Sequence, residues 1–201
     1  RDKLDAEGEK ERSLWINGDG GYTNETILKK LPERTIFTGR IRKDAKLCYP
    51  LAPGEQHSLG RKRRYGSPAP TPEQLRQDES KTLEKVQWRT AGPQILRVIV
   101  IAPLGYRLSK DAKLLYRQPA YLICTSPEQP LELVLQNYLW RWGIEANHRE
   151  EKQLIGVGDA QVRTAAATGS VPAFLVAAYA LLRLAARRAA DCMAAMSANS
   201  V

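Results

Sequence analysis

The stretch that most restricts the fold is residues 13–38. Ser13 to Asn17 (S-L-W-I-N) is a short apolar run that stops at Gly18-Asp19-Gly20-Gly21, the pattern of a strand running into a glycine turn. Thr23 and Asn24 are favoured helix N-cap types, and Glu25 suits a first helical turn. Ile27, Leu28 and Leu31 then recur at helical spacing until Pro32 stops the helix. Thr35 to Thr38 (T-I-F-T) is a second strand. Strand, turn, helix and strand in that order make an α/β unit.

The remainder sorts into two further regions. Residues 1–12 are charged and read as an exposed helix end or a linker. From Gly39 to Ser126 the chain is β-rich, with strands expected over Glu84–Thr90, Ile95–Ala102 and Ala120–Thr125. The run Arg61-Lys62-Arg63-Arg64 between Gly60 and Gly66, followed by prolines 68, 70 and 72, reads as a surface loop. Ser126-Pro127-Glu128 opens a helical stretch over Pro130–Leu154, with Gly143 as its weak point. Val171–Met196 is an alanine-rich amphipathic helix, suited to packing on the sheet or on a second subunit. The divisions are therefore 1–38, 39–126 and 127–201.

Charge narrows the partners. Among 201 residues, Lys and Arg number 31 against 22 Asp and Glu, a net charge of +9. That surplus favours a polyanion, although a merely soluble basic protein has the same balance. Three scattered cysteines and two histidines exclude a disulfide framework, a cysteine zinc site and a histidine-rich metal site, and point to a reduced, cytoplasmic setting. The longest uncharged run, Thr164 to Leu182, contains Gly169, Ser170 and Pro172, so no membrane span and no membrane partner is expected.

Two features carry chemistry. Tyr138, Arg141, Glu145 and Lys152 stand at offsets 0, 3, 7 and 14. On a continuous helix at about 100° per residue they fall in a sector of about 60°, with Arg149 beside them. One face would then carry a carboxylate among cations and a phenol. It is either a solvated face laced with ion pairs or a site that grips phosphate and a divalent cation. Asp19 is the second feature. It follows a strand inside a glycine turn, at the carboxyl end where ligands of α/β sheets gather, though an Asp-Gly turn by itself is ordinary. Arg40, Arg42 and Lys43 follow the next strand and could reach phosphate. So could Arg61–Arg64, with Tyr65 to stack on a base. Trp140 and Trp142 read as core residues and His148 as structural.

The spacing Y-(2)-R-(3)-E-(6)-K resembles the signature of DDE-type insertion-sequence transposases. The run Y-L-W-R-W-G-I-E-A-N-H-R-E-E-K-Q-L-I-G around it is similar to that family's signature region. N-G-D-G-G-Y-T-N, from Asn17 to Asn24, resembles the segment around the family's second catalytic aspartate. G-R-I-R-K-D-A-K-L, from Gly39 to Leu47, is similar to the stretch after the following strand. The three matches occur in the family's order, and four fixed residues agree by chance only about once in 10⁵ starts.

The resemblance implies a ribonuclease H-like mixed sheet flanked by helices. Residues 1–38 and 127–201 would belong to the catalytic core, and 39–126 to a β-rich insertion. It implies that Asp19 and Glu145 are catalytic metal ligands for Mg²⁺ or Mn²⁺. By the same resemblance Tyr138, Arg141 and Lys152 would contact DNA; Arg149, from its place beside them on the helix, and Arg40 and Arg42, from their place after a strand, are further expected DNA contacts. The reaction would be in-line transesterification joining element-end DNA to target DNA. The partners would be double-stranded DNA and a second copy in a synaptic complex, at the bacterial nucleoid. Only 18 residues precede Asp19, and Asp2 and Asp5 stand too close to be the family's first aspartate. The chain therefore reads as the C-terminal part of a transposase, the activity belonging to the parent protein and the chain alone being inactive, with a catalytically inactive DNA-binding remnant lacking the first aspartate as the alternative.

Overall fold

A computed structural model describes residues 1–52, 54–55, 60, 62–78, 83 and 85–198. It divides into two compact units, Arg1–Arg141 and Trp142–Val201. The first unit holds a short helix α1 (Asp2–Ala6), then β1 (Leu14–Gly18), α2 (Glu25–Leu28), β2 (Thr35–Arg40) and β3 (Leu47–Cys48). After these come α3 (Pro72–Gln77), β4 (Val86–Trp88), β5 (Gly92–Ile101), β6 (Gly105–Tyr106), β7 (Leu115–Tyr116), β8 (Ala120–Cys124) and α4 (Leu131–Trp140). The second unit consists of α5 (Trp142–Leu154) and α6 (Ala165–Ala198).

The fold class is mixed α/β. Six strands form one sheet in the order β1-β2-β8-β5-β4-β3. β1 and β2 are parallel, a pairing that needs a crossover of the kind α2 supplies, and every other neighbouring pair is antiparallel. β8 pairs with β2 on one side and β5 on the other, so strands of the β-rich stretch continue the sheet begun by β1 and β2.

Side chains alternate across that sheet with period two. Ile16, Phe37, Leu96, Tyr121 and Ile123 face one core, which α2 closes with Ile27 and Leu28. Trp15, Ile36, Ile99, Leu122 and Cys124 face the other, which α4 closes with Val134, Leu135 and Tyr138. Both faces of the sheet are covered, which is why its central strands read as continuous apolar runs.

Four local expectations need correction. The proline-rich stretch does not stay a loop. Thr71 Oγ1 accepts the Gln74 N–H, the Gln74 side chain returns a bond to Thr71 N–H, and Pro72 sits in the first turn, so α3 forms. The helix expected at Val171 starts at Ala165, because Thr164 Oγ1 takes the Ala167 N–H (3.2 Å) and caps an earlier turn. Trp140 and Trp142 are 64% and 63% exposed, so neither is a core residue. The Pro130–Leu154 helix is interrupted at Arg141. Its N–H bonds the Tyr138 carbonyl (3.2 Å), and the Asn137 carbonyl one residue further back accepts the Asn17 side-chain amide (3.0 Å). Of the basic run, Arg61 lies outside the described residues, as does Glu84 of the strand expected over 84–90.

Among the described residues one helical stretch, Ala165–Met193, has the length and apolar composition to cross a membrane, and almost none of its most apolar window is buried.

Candidate functional site

In the first unit, the site residues gather at the carboxyl end of the parallel pair. β1 ends at Gly18 and β2 at Arg40, with Gly18 opposite Gly39 in register. Asp19 therefore begins the turn at the same sheet end that presents Arg40. The Asp19 carboxylate is exposed. Its Oδ1 accepts the N–H groups of Gly21 (2.9 Å) and Tyr22 (3.3 Å), while Oδ2 takes no hydrogen bond among the described residues. The Asp19 carbonyl accepts both the Thr23 hydroxyl (2.8 Å) and the Thr23 N–H (3.1 Å). Asn24 then caps α2 by accepting the Ile27 N–H (3.2 Å). One carboxylate oxygen is thus spent on the turn and the other faces solvent.

The Asn17–Asn137 bond pins the end of α4 to the end of β1. Tyr138 follows Asn137 directly in α4. Tyr138 is half-buried in the core under α4, and the Arg141 guanidinium lies 5.6 Å over its ring.

A cleft of about 860 Å³ opens beside the turn, with Gly20, Thr23 and Asn24 on one wall and Arg40, Arg42, Lys43 and Arg76 among its cations. Arg42 is paired with Asp44 (3.1 Å), both well exposed, so that pair contributes little to stability. Sequence reasoning missed a linked group that also lines the cleft, Glu73, Arg76 and Tyr121. Glu73 receives the Arg76 guanidinium (2.6 Å) and the Tyr121 hydroxyl. The bond from Arg76, then the bond from Tyr121, holds the Glu73 carboxyl down at about 2. Desolvation, then the Glu73 carboxylate, pushes the Tyr121 phenol up, so the proton stays on tyrosine. The signal was present as Thr71-x-x-Gln74 around Pro72, a helix start that sets Glu73 and Arg76 one turn apart.

This network has a pH consequence. Glu73 in the folded chain titrates at about 2, below its ordinary 4.5, so its contribution is complete above about 4.5 and is lost as pH falls toward 2. Wild type should therefore lose melting temperature across that window faster than a Glu73→Gln variant. Thermal melts at several pH values read this directly, and parallel curves would assign no role to Glu73.

In the second unit, Glu145, Arg149 and Lys152 are all exposed on α5. Their offsets of 4 and 7 from Glu145 set them on one face within about 60°. Glu150, on another side of α5, accepts the Tyr179 hydroxyl and faces Arg183 (3.4 Å), which fastens α5 to α6 and leaves the Glu145 face outward. The bond to Glu150 also raises the Tyr179 phenol above its ordinary range. His148 is exposed, with Nδ1 3.3 Å from Glu151 Oε2.

The single-helix face expected for Tyr138, Arg141, Glu145, Arg149 and Lys152 is thus divided. Tyr138 lies in α4 and Arg141 at its end, in the first unit, and the other three lie on α5 in the second. Among the described residues no three His, Cys, Asp or Glu side chains cluster as a metal site.

Compared with family models, curated proteins and solved structures, the chain finds no match in any of the three.

Proposed function

We propose that this chain is the C-terminal part of the catalytic region of a DDE-type transposase with a ribonuclease H-like core. The observation that carries the reading is the gathering at one sheet end. Asp19 leaves β1, Arg40 ends β2, and the Asn17–Asn137 bond ties α4, which carries Tyr138, to the end of β1. An exposed carboxylate able to hold a cation, with arginines beside it, suits a phosphodiester.

In this reading Asp19 and Glu145 are each a ligand for a divalent cation, as the resemblance implies. The donor chemistry fits in part: Asp19 offers Oδ2, which the turn does not use, and Glu145 is exposed on α5. Hard cations of this kind take carboxylate, water and phosphate oxygens. Bound Mg²⁺ or Mn²⁺ would supply Lewis-acid stabilisation of an in-line displacement at phosphorus. Arg40, Arg42 and Arg141 neutralise and orient the phosphates of the scissile strand, Arg149 and Lys152 grip the backbone from α5, and Tyr138 donates its hydroxyl to a phosphate oxygen. The substrate is the double-stranded end of a mobile element.

The test is excision in a bacterial host of the gene with its own flanking DNA, scored by amplification across the empty site. Glu145→Gln should reduce excision to background while duplex binding by the purified chain is retained. Excision at the wild-type level by that variant overturns the proposal. Duplex binding with no excision by wild type would leave the inactive DNA-binding form.

A further inference from the structure

β5 and β8 pair up to Ile101 opposite Ala120, and the chain between them forms a separate two-stranded ribbon, β6 with β7. Gly105 pairs with Tyr116 and Tyr106 with Leu115, and the Arg117 N–H continues the ladder to the Leu104 carbonyl (2.9 Å). The ribbon lies outside both cores of the sheet. Leu104, Leu108 and Tyr116 on it are 60%, 80% and 65% exposed.

Its charge is one-sided. Arg107, Lys110, Lys113 and Arg117 stand against Asp111 alone, a surplus of three positive charges. Cations occur on both faces. Arg117 lies over the Tyr106 ring (5.4 Å) on one. Arg107, one residue on from Tyr106, belongs to the other by strand alternation, and it also closes the tip through the Ala112 carbonyl (3.2 Å). Leucines and tyrosines are likewise divided: Gly105 makes room on the second face for Leu114 and Tyr116 to lie across the strand. A membrane-seeking element separates an apolar face from a basic one. This ribbon does not, and that argues for a partner that is anionic on both sides. Its root, Pro103, Gln118 and Pro119, forms part of the rim of the cleft that holds Arg40, Arg42 and Lys43. The basic surface therefore runs from the cleft onto the arm.

We propose that the ribbon 103–119 is an arm that lies in a groove of duplex DNA. A two-stranded ribbon fits the major groove of B-form DNA, and cations on both faces reach the phosphates on either wall. The inference deepens the transposase reading and rests on it: the arm holds duplex beyond the cleavage site and sets its direction away from the Asp19 turn.

The test is an anisotropy titration of the full chain with a 30-base-pair duplex at salt concentrations from about 50 to 200 mM. The comparison is with a variant carrying Arg107→Ala, Lys110→Ala, Lys113→Ala and Arg117→Ala. Each lost phosphate contact removes about 0.9 from the slope of log affinity on log salt, so the slope should flatten by about 3 to 4 and affinity near 100 mM fall by at least about 10². Lys110→Glu at the tip, distant from either core, should weaken binding in the same direction and guards against a folding defect in the fourfold variant. An unchanged slope in both variants overturns the arm. So does a wild-type chain that ignores duplex, or one that takes up anionic vesicles in its place. If the ribbon variants lose binding while Glu145→Gln still excises, the arm stands and the catalytic reading falls. If the ribbon variants bind normally while Glu145→Gln no longer excises, the arm falls and the catalytic reading stands.

Discussion

Replacing Gly39 with alanine should lower the melting temperature by about 6–12 °C. A Cβ at that position would stand 2.3 Å from Thr23 Oγ1 and 2.5 Å from Phe37 Cε1. Neither neighbour can yield cheaply. Phe37 is 1% exposed among Leu28, Leu96 and Ile123, and Thr23 is 6% exposed with its hydroxyl bonded to the Asp19 carbonyl. Overpacking of this kind costs about 1–3 kcal/mol, and the upper end applies where two buried groups must move. For a chain of this size each kcal/mol is worth about 2–4 °C. The displaced Thr23 also loosens the turn that carries Asp19, so the variant should lose excision together with stability. Gly20→Ala is the control. Its nearest atom is the Arg40 carbonyl at 3.9 Å, an ordinary contact, and the change should stay within about 0.5 kcal/mol. Equal melting temperatures for the two variants would refute the packing argument.

That contrast shows what the sequence could and could not reveal. Glycines on both sides of Asp19 would let a ligand approach closely. Gly18 instead makes room for the Phe37 ring, Gly39 for Thr23 and Phe37, and only Gly20 borders the cleft. Which atoms crowd a glycine is a fact of tertiary register, here Gly18 opposite Gly39, and no local pattern carries it. Elements with strong local signals were readable: β1 from S-L-W-I-N, α2 from the Asn24 cap, and β5 and β8 from their apolar runs. The pairing of β8 between β2 and β5 joins β2 to residues more than eighty positions away and leaves no mark on either segment. The ribbon was hidden for a different reason. Its strands are two residues each, too short for period-two alternation to stand out.

The helix break shows the same limit at the candidate site. Spacing alone set Tyr138 and Lys152 on one continuous face. Gly143 marked a weak point, but α4 ends at Trp140, three residues after the Asn137 carbonyl that accepts the side chain of Asn17 from a strand 120 residues earlier. That bond ties α4 to the end of β1. It depends on Asn17 and Asn137 together, a pairing that no local pattern carries.

The sharpest separation of chemistry from architecture comes at Asp19 itself. Its carboxylate does two jobs in the proposed reading: Oδ1 accepts the N–H groups of Gly21 and Tyr22, and Oδ2 is offered to a cation. Asp19→Asn keeps a carbonyl oxygen for the turn and removes the charge. Its stability should stay within about 0.5 kcal/mol of wild type. Excision should fall by about 10³-fold, because a lost ligand of this kind withdraws about 4 kcal/mol of transition-state stabilisation. Asp19→Ala loses the acceptor as well and should add a stability cost of about 1 kcal/mol, seen as a lower melting temperature at the same loss of excision. The pair of variants decides between roles. If Asp19→Asn excises normally while Asp19→Ala melts early, Asp19 is a turn residue and the cation must be held elsewhere. If both abolish excision while only the alanine variant melts early, the free oxygen of Asp19 belongs to the chemistry.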